Sequence, residues 1–501
     1  MLFRRFLSAT VLLLAPALAI HVVAQAPPRS AGDDPRVLQA TELLKVWLEA
    51  QRAYDEIPGI SAAIVHDQTV LWKGGYGYRD VDSRAPATPD TIYSICSISK
   101  LFTSVAAMQL RDRQKLRLDD PVSQHLSWFT IKNTAPQAGE ATIEGLLTHA
   151  SGLPRESDHP YWTGPEFKFP TREEIRSRID AQETLYPAET YHQYSNLGMT
   201  LLGEIVQAAS GKPYDQYIRA QILEPLGMKS TTPEMPEHER GKRLAAGYSA
   251  IQRSGTRQVV PFFMTHGVAP AAGFASTVED LARFASWQFR LLEKGGTEIL
   301  NANTLREMHR VHWVDPDFET TWGLGFAISR SDGQMFVGHG GSCPGFRTQL
   351  LLKPDRKVAA VFMANALGVN SGQWAQKMYD IVAPSIRAAT KDDDKPKPTD
   401  PSLSRYVGTY SSGFGGEFAV VGWEDGLGLL ALPTMEPVRN LVKLKKMGDD
   451  RFRRVRKDEN LGDEIVFEMG ADGKPTRFRM HSNYYPRVVT ATTTSACNCR
   501  N

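Results

Sequence analysis

The stretch Lys391-Asp392-Asp393-Asp394-Lys395-Pro396-Lys397-Pro398-Thr399-Asp400-Pro401 divides the chain into two parts with different patterning. Its prolines and dense charges leave nothing to bury, so it reads as a solvated linker, placed at 386–402. Before it, some segments repeat apolar residues at helical spacing and others carry short continuous apolar runs, which calls for a mixed fold. After it, Glu417-Phe418-Ala419-Val420-Val421, Gly428-Leu429-Leu430-Ala431-Leu432, Leu441-Val442-Lys443-Leu444, Glu464-Ile465-Val466-Phe467 and Arg477-Phe478-Arg479-Met480 are short strands separated by turns. Such closely spaced strands predict a small antiparallel β-barrel or sandwich over 403–490, with a polar tail at 491–501.

The start of the chain carries another signal. Arg4 and Arg5 precede the apolar run Phe6 to Val23, and small residues surround Ala24. That order predicts a signal peptide over 1–24, cut after Ala24, and export to a periplasm or the medium. No cysteine stands at the cut to take a lipid, and no later run would span a bilayer, so no stable membrane association is expected after cleavage. Residues 25–36, Pro-rich and polar, are expected to form a disordered leader. Lys and Arg number 58 against 56 Asp and Glu, a net charge of +2 that argues against a nucleic-acid partner. The cysteines are Cys96, Cys343, Cys497 and Cys499, too few for a disulfide scaffold. Cys96 is expected to pack as a small buried hydrophobe.

The main domain is placed at 37–385. Val37 to Tyr54 is a predicted helix, and Ile60–Val65 with Thr69–Trp72 form an antiparallel hairpin that leaves through a loop at Gly74-Gly75-Tyr76-Gly77. Thr142 to Gly152 is a capped helix, in which His149 is expected to cap carbonyls or pack. Residues 155–193 read as a loop-rich wall. Leu197–Ala209 is a helix stopped by Gly211, and Val278–Leu292 is a helix capped by Ser276 or Thr277. Trp322–Ile328, Met335–Ser342, Gln349–Leu352 and Val358–Met363 are strands, and Trp374–Ala389 is a closing helix. His309 and His312 have a metal-like spacing, but no further histidine or cysteine is near in sequence, so neither a metal nor a cofactor is expected.

Chemistry concentrates in three separated places. Ser97-Ile98-Ser99-Lys100 leads into the apolar helical run Leu101–Met108, so Ser97 is expected to open a helix with Lys100 on the same face. A serine hydroxyl needs a neighbouring base, and a lysine desolvated against apolar residues has a lowered pKa suited to that task. By itself Ser-x-x-Lys is a chance-level match; its weight depends on partners. Tyr194-Ser195-Asn196, at the mouth of the next helix, supplies a phenol and an amide. His339-Gly340-Gly341-Ser342 ends a strand in glycines, where backbone N–H groups can face a substrate.

The set Ser97-x-x-Lys100, Tyr194-x-Asn196 and His339-Gly340-Gly341, in this order, resembles the family of class C β-lactamases, serine D,D-peptidases, D-aminopeptidases and related esterases. Leu146–Leu153, Pro225-Leu226-Gly227-Met228 and Gly273–Thr277 are similar to that family as well, while the segment from Arg405-Tyr406-Val407-Gly408-Thr409-Tyr410 resembles a lipocalin-like barrel appended to some members. The resemblance implies an α+β fold, an antiparallel sheet flanked by helices, followed by the small barrel. It implies acyl transfer through Ser97, with the proton passing to Lys100 or to Tyr194, Asn196 orienting Lys100 and substrate, and the N–H groups of Ser97 and Ser342 holding the oxyanion. His339, Gly340 and Gly341 would line the substrate. The expected partner is a small-molecule or peptide substrate, such as a D-amino-acid peptide or ester; the sequence leaves the oligomeric state open.

One departure narrows the substrate. β-Lactamases of this type place lysine where this chain has His339, and a histidine neutral near pH 7 is a weak anchor for the β-lactam carboxylate. Peptidase or esterase action is therefore favoured over β-lactam hydrolysis. A further alternative is a binding protein that recognises cell-wall fragments without turnover. An α/β-hydrolase is disfavoured, because the chain has no Gly-x-Ser-x-Gly elbow.

Overall fold

Alternation along two neighbouring strands explains how the main domain is layered. Taking β1 as Gly59–His66, β2 as Thr69–Asp80, β3 as Ala85–Pro86, β4 as Trp313–Val314, β5 as Thr321–Trp322, β6 as Ala327–Ser331, β7 as Gln334–Cys343, β8 as Phe346–Lys353 and β9 as Val358–Ala364, the sheet order is β4-β5-β6-β7-β8-β9-β1-β2-β3. All pairings are antiparallel. Leu350, Leu352, Ala359, Val361 and Met363 enter one apolar core, whereas Leu351, Val358, Ala360 and Phe362 enter another. Side chains two apart share a face, so a sheet apolar on both faces must be covered on both. The computed structural model describes residues 31–391 and 400–488. The expected signal peptide, residues 25–30 of the leader, residues 392–399 of the linker and the polar tail fall outside the described residues.

The first core is filled by helices α2 (Ser99–Asp112), α3 (Ile143–Thr148), α4 (Asn196–Ser210) and α5 (Val278–Lys294). Helix α2 is buried from Ser99 through Leu110, its apolar and small residues interrupted only by Lys100 and Gln109. The opposite face holds α1 (Pro35–Tyr54) and α6 (Ser371–Ala389), where Trp47 and Trp374 meet with ring centroids 5.1 Å apart. Helix α1 starts two residues before the expected Val37, because Asp34 caps the N–H of Arg36 and Pro35 suits the first turn. Ala31–Asp33 form a short 3-10 turn, so this end of the expected leader is ordered into the fold.

Other expectations are corrected. Gly74-Gly75-Tyr76-Gly77 lies within β2 rather than in a loop; Ala62 pairs with Gly74 and Gly59 with Gly77, where added side chains would meet neighbouring atoms. The expected strand Trp322–Ile328 is interrupted between Trp322 and Ala327, with Gly325 at φ +82° against Ser104. Helix α3 ends at Thr148, since His149 takes a left-handed conformation. Thr277, one of the two expected caps, caps α5, while α6 begins at Ser371, three residues before the expected Trp374.

The C-terminal barrel has eight antiparallel strands in sequence order: Gly408–Ser411, Glu417–Trp423, Gly426–Leu432, Leu441–Gly448, Arg451–Val455, Leu461–Met469, Pro475–Met480 and Asn483–Pro486. A bridge between Tyr410 and Arg487 nearly closes it. Its interior is occupied by Tyr406, Tyr410, Phe452, Phe467 and Phe478. Ala419, Val421, Leu430 and Leu432 instead join the core of α1 and α6, and the Trp47 indole donates to the Thr434 carbonyl at 2.8 Å. The barrel therefore sits against the sheet face opposite α2.

Candidate active site

Ser97 lies in the 3-10 turn Cys96–Ile98 that leads into α2, one step before the helix expected to contain it. Cys96 holds φ at +50°, uncommon for a residue with a side chain, and this bend presents Ser97. One turn on, Lys100 is fully buried. Its Nζ is 3.1 Å from Ser97 Oγ, 2.7 Å from Asn196 Oδ1 and 2.8 Å from the Ala271 carbonyl. Burial pushes the Lys100 amine well below its ordinary pKa. A neutral amine has two N–H bonds and one lone pair. The two carbonyl-type oxygens can only accept, so they take the N–H bonds and leave the lone pair facing Ser97.

Tyr194 closes the other side of the serine. Burial raises its pKa, against a lowering by the neighbouring Ser97, and keeps the proton on the oxygen. The ring lies between two basic side chains, with Lys100 Nζ 4.8 Å and the Arg155 guanidinium 4.9 Å from its centroid. Ser195 caps α4 by accepting from the Gly198 N–H, which fixes Tyr194 before the helix and Asn196 as its first residue.

The third segment reaches the same place along β7. Odd-numbered residues Val337 and Cys343 join the helix-side core, so His339 and Gly341 face that side as well. Gly341 is tightly confined: a Cβ there would lie 2.1 Å from Thr348 Oγ1 and 2.3 Å from the Ile95 carbonyl oxygen. His339 is buried, and its Nδ1–H donates to the Gly340 carbonyl at 2.6 Å. Nε2 is then the bare nitrogen, without a protein partner. Burial, reinforced by Lys100, lowers the His339 pKa to about 3, so the ring is neutral around pH 7. Ser342 follows on the exposed face of the strand.

Cys96 is corrected from a free buried hydrophobe to one half of a disulfide with Cys343. The bridge ties the residue before Ser97 to the residue after Ser342. Sequence separation gave no hint of that pairing. Other neighbours were also missed: His192 and Trp322, which with His149, Tyr194 and His339 form an aromatic wall, and the Arg155-Glu156 pair. Pro154-Arg155-Glu156 directly follows the motif-like Leu146–Leu153, and that position was the available signal. His149 packs as expected, buried, its Nδ1 accepting from the Ser195 N–H at 3.2 Å. His309 and His312 do not converge: the first bonds Gln288, the second Glu144. Among the described residues, no group of three or more His, Cys, Asp and Glu is arranged to hold a metal.

A family model described as Beta-lactamase matches residues 47–381. The chain belongs to the beta-lactamase family. Membership of these serine hydrolases covers all three segments of the site. Among curated relatives, Protein flp of Staphylococcus aureus (strain MW2) is 30% identical over 62% of this chain and 60% of its own length. This chain thus spans less than two thirds of that relative. Beta-lactamase-like protein 2 of Dictyostelium discoideum is 26% identical over 88% of this chain and 80% of its own length. Among solved structures, the octameric penicillin-binding protein homologue from Pyrococcus abyssi aligns with TM-score 0.60 and 26% identity over 89% of this chain and 99% of its own. The D-amino acid amidase from Ochrobactrum anthropi SV3 shares the fold at TM-score 0.58 and 24% identity, over 70% of this chain and 99% of its own.

Proposed function

We propose that the protein is an exported serine hydrolase that cleaves small amides or esters, D-amino-acid peptides or esters among them, through an acyl-enzyme on Ser97. The observation that carries this reading is the hydrogen bonding of Lys100, whose two carbonyl partners leave its lone pair for the Ser97 hydroxyl. Lys100 takes the serine proton as Oγ attacks the carbonyl carbon. The carbonyl oxygen becomes an oxyanion held by the backbone N–H groups of Ser97 and Ser342. Tyr194, protonated at rest, donates to the leaving group as the tetrahedral intermediate collapses. Water then attacks the ester, and the same pair returns its proton to Ser97. Lys100 and Tyr194 titrate as a coupled pair. Asn196 holds Lys100, while His339, Gly340 and Gly341 line the acyl group.

The amidase from Ochrobactrum anthropi supports a D-configured amide as substrate class. The neutral His339 disfavours β-lactams, because a carboxylate meets no cation at that position. The test is labelling with a fluorophosphonate and with a fluorescent penicillin, followed by peptide mapping and release kinetics. An adduct on Ser97 that is lost in Ser97→Ala, together with rapid turnover of ester or D-peptide substrates, is expected. An adduct elsewhere overturns the mechanism; a penicilloyl ester on Ser97 that is never released, with no ester or D-peptide turnover, marks a binding protein instead, and nitrocefin turnover matching a dedicated β-lactamase overturns the substrate assignment.

A further inference from the structure

Behind Asn196 lies a carboxylate that the reaction above does not use. Glu156 accepts from Asn196 Nδ2 at 2.8 Å on one oxygen and 3.1 Å on the other, and from the Tyr161 hydroxyl. It also pairs with Arg155 Nε at 3.2 Å. An ionised carboxylate only accepts, so the Asn196 amide must turn its NH2 toward Glu156 and its oxygen toward Lys100. Reversed, the amide would present N–H bonds to a neutral amine and compete for the lone pair reserved for Ser97.

We propose that Glu156 is a positioning residue for proton transfer, locking the Asn196 amide oxygen onto Lys100, and that Arg155, seated over Tyr194, is its opposing charge. The inference rests on the Ser97–Lys100 reading. The segment is built to move with the site: the Arg155 carbonyl accepts from the Asn196 and Leu197 N–H groups at 2.7 and 3.2 Å, and the Pro154 carbonyl accepts from Ser195 Oγ at 2.6 Å. Lys100 is faced by Ser97, Tyr194, Asn196, the Ala271 carbonyl, His149, His339 and this pair. Burial keeps both histidines neutral near pH 7. After burial, Lys100 feels Glu156, which favours its ammonium form, and Arg155, which opposes it. Consecutive residues thus push one base in opposite directions.

The test uses the full chain, with p-nitrophenyl acetate for pH profiles of kcat/KM and a fluorophosphonate for the rate of Ser97 labelling. Because Lys100 must be neutral to act, activity rises with pH through its pKa. Glu156→Gln is expected to slow labelling about tenfold and move the acid limb to lower pH, with Glu156→Asp recovering part of both. Arg155→Gln is expected to move the limb to higher pH. Arg155 is largely exposed, so that arm stands even if Glu156→Gln fails to fold in a thermal melt. Limbs that move the same way, or do not move, overturn the proposal while Ser97 labelling in the wild type leaves the hydrolase reading intact. Wild-type labelling away from Ser97 overturns both.

Discussion

The Cys96–Cys343 bridge invites a direct perturbation, Cys96→Ala with Cys343→Ala. The bridge joins residues separated by 247 positions, and closing a loop of that size in the unfolded chain corresponds to about 5 kcal/mol in the chain-entropy account. Against a typical total stability of roughly 5–15 kcal/mol, this is a large share. The double variant should unfold at a urea concentration lower by about 1 M or more, read by tryptophan fluorescence. Both cysteines are buried, so a reductant acts on unfolded molecules, and wild type refolded with dithiothreitol should match the variant. A second effect is kinetic. The bridge holds the Ser97 turn to the end of β7, so loosening it should lower kcat for ester hydrolysis about tenfold, since one mispositioned oxyanion donor costs more than that when lost outright. A variant with wild-type urea midpoint and kcat would refute the reasoning.

Three further outcomes are expected. Gly341→Ala should destabilise the protein by about 1–3 kcal/mol and depress activity, because its Cβ collides with Thr348 and the Ile95 carbonyl; thermal melting and ester turnover check this. His309, buried and bonded to Gln288, has its pKa lowered by burial to about 3, so below pH 6.5 the unfolded state gains a proton that the folded state refuses. Stability should fall as pH drops from 6.5 toward 3, by about 1.4 kcal/mol per pH unit for this group, and His309→Gln should flatten that slope in pH-dependent urea melts. Trp47→Ala should cost about 3–5 kcal/mol, since the ring is fully buried and its indole N–H holds Thr434; a melting temperature within a degree of wild type would contradict it.

The meeting of the three segments around Ser97, Tyr194 and His339 was legible because each sits in a local context with a readable signal. Lys100 follows Ser97 by one helical turn, Asn196 opens a helix capped by Ser195, and His339-Gly340-Gly341 ends an apolar strand. What escaped notice depends on contacts between distant segments. Cys343 meets Cys96 only because β7 runs against the turn before α2, and Glu156 meets Asn196 only because its loop folds back onto α4. Gly74–Gly77 was misread because glycine suggests a loop, whereas here it permits close packing inside a sheet; the Cβ of Gly75 would lie 2.5 Å from the Ala87 carbonyl oxygen. The barrel's strand character was clear, but Arg451–Val455 was passed over because its charges dominate a strand with Phe452 as its inward anchor.

The seating of Trp47 under Thr434 also orders events during synthesis. Helix α1 is made early, yet part of its apolar covering comes from Ala419, Val421, Leu430 and Leu432, and Thr434 lies 387 residues beyond Trp47. Until the barrel is made, the main domain carries an uncovered seam. Only when the barrel emerges can that seam close, so the last-made part of the chain acts as the seal on one of the first.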